Sequence, residues 1–148
     1  EEASKVLLSL CEMVGMRLRQ AGFCAKLVSV SLRGTDLKRN SHQCKTFMAT
    51  DNTMKIYQTA IKLMNEMWSG KPLRGMGIRV SDLIPCDFLQ ISIFENYDEK
   101  KKQLDDTIDS LRMKYGLNSV FRSCFLGSGL PPVTGGVIEE YQMMTSIL

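Results

Sequence analysis

The chain has 148 residues, of which 44% are hydrophobic and 24% charged, and its formal net charge is +3. These totals are ordinary for a globular protein of one domain, or of one domain and a tail. No stretch approaches the ~18 consecutive apolar residues that a transmembrane helix needs, so the sequence predicts no membrane span.

Positive charge is concentrated in the first two-thirds of the chain. Residues 1–94 hold 13 Lys and Arg against 8 Asp and Glu, which gives +5, and residues 95–148 hold 6 against 8, which gives −2. A basic body is compatible with a nucleic-acid partner. The chain starts with Glu1 and Glu2 rather than a basic segment, so no signal peptide is expected. The missing initiator Met suggests a piece of a longer protein.

The cysteines are odd in number and widely spaced, and no C-x-x-C occurs. Only one histidine, His42, accompanies them. Neither a disulfide framework nor a zinc site is therefore expected, and the pattern favours free thiols in a reducing cytoplasm. The five cysteines are Cys11, Cys24, Cys44, Cys86 and Cys124.

The first half of the chain predicts a helix followed by a hairpin. Apolar residues at i, i+3, i+4 and i+7 predict a helix over 3–21, which Gly22 ends. Alternating apolar and polar residues predict strands over 25–33 and 43–48. A polar, basic connection over 34–42 joins them.

A second helix is predicted over 53–68 and a third strand over 74–81. Each strand is apolar on one side only. The fold class is therefore α+β, with a small antiparallel sheet that carries both helices on one face.

Residues 95–115 contain a charged third helix, which Gly116 ends. Its apolar side is formed by Leu104, Ile108, Leu111 and Tyr115. Asp105, Asp106 and Asp109 are interpreted as a solvated acidic face rather than a metal site. The rest is predicted as a short strand over Ser119–Leu126, a flexible linker over 127–136 and a short apolar tail over 137–148.

The sheet face opposite the helices combines small hydroxyls with long cations. Such groups are the usual donors to a phosphate backbone, although an ordinary solvated face is the alternative. With the hairpin tip and the start of the third strand, the candidate contacts are Ser29, Ser31, Arg33, Lys38, Arg39, Lys45, Arg74, Arg79 and Ser81.

No catalytic pattern is present in the sequence. It lacks G-x-x-x-x-G-K-[ST], H-E-x-x-H and G-x-S-x-G, and one histidine offers little general-base or triad chemistry. Gly75-Met76-Gly77 lies at a strand entry and lacks the third glycine of a dinucleotide loop. The chain is therefore predicted to be a binding module with neither a cofactor nor a catalytic residue of its own.

L-R-G-M-G-I-R-V-S-D-L over Leu73–Leu83 follows a helix that contains Tyr57 and Trp68. Together with L-D-D-T-I-D-S-L-R-M-K-Y-G over Leu104–Gly116, it resembles the little-finger domain. That domain is the C-terminal DNA-binding module of Y-family translesion DNA polymerases, here closest to the UmuC-like bacterial branch. The resemblance covers about residues 1–126.

The resemblance implies a β-α-β-β-α-β domain that grips primer–template DNA. This chain starts at the first helix, so the first strand is expected to be missing. Ser119–Leu126 or a neighbouring molecule would then fill the open sheet edge, and the oligomeric state stays open. The family's catalytic carboxylates and their Mg²⁺ ions belong to a palm domain, which this chain lacks.

A pentapeptide after the predicted domain resembles the Q-L-S-L-F sequence by which such polymerases bind the sliding clamp. In an extended peptide the glutamine would bond a pocket rim while the last two residues fill an apolar cleft. The alternative is an ordinary edge strand, because apolar residues alternate here too. The pentapeptide consists of Gln90, Ile91, Ser92, Ile93 and Phe94.

The resemblance therefore implies a little-finger DNA-binding domain over 1–84 and an extension over 85–148. The extension contains the clamp-binding peptide at 90–94, the helix over 98–115 and the tail. The expected function is non-catalytic DNA binding for a cytoplasmic repair polymerase of the SOS response. An RNA-binding ferredoxin-like module is one alternative, although Phe47 is the only outward aromatic on the sheet. A protein-interaction domain is the other.

Overall fold

The computed structural model of the protein describes residues 2–88 and 99–133, except for the side chains of Phe88 and Glu99. The β-strands form one antiparallel sheet in the order β2-β1-β3. Two short 3₁₀ turns lie at Cys86–Phe88 and Ser123–Phe125. The regular elements are α1 (Glu2–Ala21), β1 (Phe23–Gly34), β2 (Arg39–Thr50), α2 (Thr53–Met67), β3 (Leu73–Pro85) and α3 (Glu99–Tyr115).

The main core lies between the sheet and the helices α1 and α2, which confirms the predicted α+β fold. One face of β1 contributes Val28, Val30 and Leu32, as its alternation predicts. Met76, Ile78 and Val80 of β3 pack against the same core. The helices supply the rest of the buried apolar set, which includes Leu7, Cys11, Leu18, Ile56, Ala60, Leu63 and Met64.

The hairpin strands are longer than predicted. β2 begins at Arg39, which pairs with Arg33, and His42 pairs with Val30. Backbone pairing continues through these polar residues because a strand needs no apolar side chain once its partner is held in place. The predicted connection over 34–42 therefore shrinks to a tight turn, in which Leu37 has a φ of 66°.

The helices α1 and α2 approach closely at Gly15. A Cβ on this residue would lie 2.5 Å from the Thr53 hydroxyl oxygen and 3.1 Å from Arg19 Nη1. Only glycine leaves room for this contact. Gly22, with a φ of 70°, ends α1 as predicted.

The third helix packs with its charged face inward, so the prediction of a solvated acidic face is wrong for Asp105 and Asp109. These carboxylates are 6% and 8% exposed. Of the residues predicted to form the packing side, Leu104, Leu111 and Tyr115 are exposed, at 57%, 37% and 64%, and Ile108 is half-buried. The reason lies on α1, where Arg19 provides a buried cation for both acids.

The Arg19 guanidinium donates from Nε and Nη2 to Asp109, at 2.6 and 3.1 Å. Asp105 lies 3.5 Å from Arg19 Nη1 and accepts a 2.8 Å hydrogen bond from the Asn52 amide. Burial lowers the pKa of Arg19, but the hydrogen bond to Asp109 and the charges of Asp109, Asp105 and Asp51 together raise it more, so the net shift is upward. The surrounding carboxylates therefore hold this arginine in its charged state inside the protein.

A second buried charge centre surrounds Glu12 of α1. Arg112 Nη1 donates to Glu12 Oε2 at 2.8 Å, and Arg122 Nε donates to Oε1 at 2.5 Å. Arg112 also donates from Nε to the carbonyl oxygen of Val120 at 3.0 Å. One carboxylate thus attaches both α3 and the segment after it to α1.

The segment Ser119–Leu126 forms turns and a 3₁₀ turn, so its prediction as a strand is wrong. It lies against α1 and does not pair with the sheet. Among the described residues, no strand adjoins the outer edge of β3. The described part of the predicted linker, residues 127–133, is anchored at its end, because Val133 is buried against Met13 and Met16.

The structure also corrects the expectation that all five cysteines are free thiols. Cys24 and Cys86 form a disulfide across 62 residues of sequence, with Cα atoms 5.3 Å apart. Cys24 pairs with Ile84 in the β1–β3 ladder, so sheet pairing brings Cys86 within reach. Free cysteines in the described region are Cys11, Cys44 and Cys124.

Candidate nucleic-acid interface

The open face of the sheet carries rows of hydroxyl and cationic side chains across its three strands. Ser29 pairs with Gln43 of β2 and with Arg79 of β3. Directly paired residues project to the same face of an antiparallel sheet. Arg79 is exposed and Ser29 half-exposed. This row thus offers a cation, a hydroxyl and an amide to one ligand.

The next row along the sheet has the same character. Leu27 of β1 pairs with Lys45 and with Ser81. Lys45 is exposed, while Leu27 and Ser81 are half-exposed. The predicted contacts Ser29, Lys45, Arg79 and Ser81 therefore lie together on adjacent rows.

The hairpin tip forms a basic extension of this face. Arg33 and Arg39 pair across the strands, and Arg39 Nη2 donates to the Ser31 hydroxyl at 3.2 Å. Lys38 ends the turn, where its backbone N–H donates to Asp36 Oδ1. The exposed guanidinium groups and Ser31 line an open depression of about 480 Å³. It is wide enough to admit a phosphate and its sugar.

Two glycines at the start of β3, whose spacing does not fit a dinucleotide loop, leave part of this face bare. Gly77 pairs with Ser31, and Gly75 pairs with Arg33. A Cβ on Gly77 would lie 3.1 Å from the Ser31 hydroxyl, whereas one on Gly75 would meet nothing within 4 Å. Glycine inside a strand marks a close approach of ligand or backbone. That signal was available in the sequence.

Among the predicted contacts, Arg74 is not brought to this face. Arg74 lines a separate depression with Glu2 and Trp68, on the side of α1. Alternation along β3 explains this position, since Gly75, Gly77 and Arg79 take the open face. The clamp-binding peptide, Gln90–Phe94, lies outside the described residues, as does the tail over 137–148.

Metal-ligating side chains converge at one place in the described region. Ligand atoms of Cys24, Asp51 and Cys86 lie within 4.8 Å of one another. The disulfide occupies both sulfur atoms. Thiolates in any case suit soft cations rather than Mg²⁺, which prefers oxygen ligands. The Mg²⁺ of a polymerase therefore does not fit these residues, and Asp105 and Asp109 are already taken up by Arg19.

Within residues 2–88 and 99–133, each helix is too short or too polar to cross a lipid bilayer.

The family model of the impB/mucB/samB family C-terminal domain matches residues 1–93. The chain is 41% identical over 127 residues to DNA polymerase IV of Clostridium acetobutylicum, covering 85% of this chain and 32% of that protein. It is 33% identical over 129 residues to DNA polymerase IV 2 of Bacillus subtilis, covering 85% and 31%. It is also 32% identical over 126 residues to the putative UV-damage repair protein UvrX of Bacillus subtilis, covering 83% and 30%.

The chain spans about a third of the length of these relatives. Its matched part includes α1, α2 and the whole three-stranded sheet. The open basic face described above thus lies entirely within the matched region. The chain therefore belongs to the impB/mucB/samB C-terminal domain family, the C-terminal domain of UmuC-like Y-family DNA polymerases.

Proposed function

We propose that this chain is the DNA-binding module of an error-prone translesion polymerase that acts in the cytoplasm. Its open sheet face grips the sugar–phosphate backbone of primer–template DNA, and the segment Gln90–Phe94 tethers the enzyme to the sliding clamp. The relatives' names supply the polymerase context. No step of catalysis is assigned to this chain.

The observation that carries the DNA half is the cross-strand row of Arg79, Ser29 and Gln43 beside the paired arginines of the hairpin tip. Arginine and hydroxyl donors position a protein on phosphates without reading the bases. An open sheet face with bare glycine backbone also lets a duplex approach closely. The proposed binding is thus independent of sequence and sensitive to salt.

Fluorescence anisotropy with a labelled primer–template duplex tests this half. Arg79→Ala should weaken binding and reduce the magnitude of the slope of log K against log salt by about one, for one lost phosphate contact. Arg17→Ala is the matched control, because Arg17 is exposed on α1, in the helix layer. Equal slopes for the two variants, or no binding at low salt, would contradict the proposed role of the sheet face.

The clamp half rests on the pentapeptide alone. Replacing Gln90 and Phe94 by Ala should abolish capture of the protein by an immobilised sliding clamp, because the rim hydrogen bond and the apolar anchor are both lost. Gln103→Ala, on the exposed side of α3, is the control. Undiminished capture of the double variant would remove this role from the pentapeptide while leaving the DNA half intact.

A further inference from the structure

A bulge in β2 projects one aromatic ring far into solvent. Lys45 pairs with Leu27, but the next pair joins Thr50 to Ala25, so residues 46–49 stand opposite the single residue Lys26. The Thr46 hydroxyl donates to the carbonyl oxygen of Met48 at 2.7 Å and helps to hold the bulge. A bulge of this kind re-aims the side chains that it carries.

Phe47 lies within this bulge and is 81% exposed, the highest value among the large exposed apolar residues of the described region. A ring so exposed buries almost none of its apolar surface in the fold, so packing does not explain it. The folded domain therefore gains no stability from a phenylalanine at this position. A ligand that covered the ring would bury its apolar surface, so the position suits a binding contact.

A basic groove of about 360 Å³ separates the bulge from α2. Lys55, Thr59 and Lys62 lie along one face of the helix, at i, i+4 and i+7, and line the groove together with Lys45 and Phe47. Three lysines and no acidic residue line the groove. Its charge therefore favours an anionic ligand, with Lys45 and Lys62 on its two sides.

The combination of one exposed ring and a row of cations is typical of surfaces that bind single-stranded nucleic acid. An unpaired base can stack on an aromatic face, whereas the bases of a duplex are already stacked on each other. Lys55 and Lys62 are separated by about 10 Å along the helix axis, from seven residues at ~1.5 Å each.

We propose that the Phe47 groove, formed by the β2 bulge and the lysine face of α2, binds the unpaired template strand beyond the primer–template duplex. One base stacks on Phe47, and the adjoining phosphates lie against Lys45 and Lys62. The inference rests on the proposed function for its choice of DNA as the ligand. It adds a second contact, at the sheet edge, to the duplex contact on the open face.

The test compares three labelled DNAs by anisotropy: a blunt duplex, the same duplex with a single-stranded 5′ overhang, and the overhang strand alone. Phe47→Ala should weaken binding of the overhang and single-stranded DNAs about tenfold, the change that a stacking contact of ~1.4 kcal/mol produces. Blunt-duplex binding should stay unchanged. Phe47→Trp should keep the overhang preference, because it keeps an aromatic face.

Matched controls exist on α3. Tyr115→Ala removes another exposed ring and Lys114→Ala another exposed lysine, and neither should alter the overhang preference. Lys62→Ala should reduce the magnitude of the salt slope for the overhang DNA by about one and leave that of the blunt duplex unchanged. Unchanged melting curves would show that the exposed substitutions leave the fold intact.

The possible failures are distinct. Binding of blunt duplex with no effect of Phe47→Ala on the overhang DNA overturns this inference and leaves the proposed function standing. No binding to any of the three DNAs overturns both. An acidic peptide of equal charge serves as a competitor for the overhang strand. Equal displacement of that strand from the wild type and from Phe47→Ala would show that charge alone attracts the DNA, and would also overturn the stacking contact.

Discussion

The Asp109→Asn substitution should markedly lower the melting temperature of the protein, because it removes the principal charged partner of the buried Arg19 guanidinium. The Arg19 side chain is 6% exposed and donates two hydrogen bonds to this carboxylate, while Asp105 lies farther away at 3.5 Å. Breaking a buried ion pair costs about 3–5 kcal/mol. We expect ~3 kcal/mol, the lower end, because Asp105 still offers a charge.

For a chain of this size, 1 kcal/mol changes the melting temperature by roughly 2–4 °C, so Asp109→Asn should melt roughly 6–12 °C below the wild type. Thermal unfolding followed by circular dichroism measures this difference. Asp106→Asn is the matched control, since it removes the same charge from an exposed position of the same helix.

A double-mutant cycle with Arg19→Met isolates the interaction, and Arg19→Met should remove most of the further cost of Asp109→Asn. The reasoning is refuted if Asp109→Asn and Asp106→Asn melt within a degree or two of each other.

Three further predictions concern stability. Gly15→Ala should lower the free energy of chemical unfolding by about 1–3 kcal/mol in spite of alanine's helix propensity, because the new Cβ would lie 2.5 Å from the Thr53 hydroxyl oxygen. Gly75→Ala is the control, because its Cβ would meet nothing within 4 Å. Cys86→Ser should lower the stability of the oxidised protein by up to roughly 4 kcal/mol through loss of a 62-residue cross-link, and a reductant should then destabilise the wild type but not the variant. Burial raises the pKa of Asp105 in the folded protein above its ordinary value of 3.8. The protonated carboxyl group therefore stabilises the fold fully below pH 3.8, and this stabilisation is lost as the pH rises through the higher pKa of the folded state. Asp105→Asn should therefore gain stability relative to the wild type across that interval, and urea unfolding from about pH 3.5 to about pH 6 would contradict this if the difference stayed constant.

Local pattern predicts the parts of this fold that depend on local physics. The strand β1 alternates strictly, and its predicted face, with Val28, Val30 and Leu32, is the buried one. The predicted helices over 3–21 and 53–68 differ from α1 and α2 by one residue at single ends. The residues of the open face followed from the same period-two argument, which places Ser29, Lys45 and Arg79 on adjacent rows.

The wrong predictions for the acidic face of α3 and for the cysteines involve partners far apart in the sequence. Asp109 is 90 residues from Arg19, and Cys86 is 62 residues from Cys24. Periodicity assigns the buried face of a helix from its apolar residues. It therefore cannot predict that an acidic face is buried because a cation on another helix pairs with it. Alternation predicted that Phe47 faces outward, but alternation gives no sign of the bulge in β2 that carries it.

The two buried charge centres also fix the direction in which α3 lies on α1. Along α1 the acid Glu12 precedes the base Arg19, and along α3 the acid Asp109 precedes the base Arg112. Each acid therefore lies next to a base only when α1 and α3 are antiparallel. An α3 helix packed in the opposite direction would bury acid against acid and base against base. A purely apolar interface between the same helices would not distinguish the two directions.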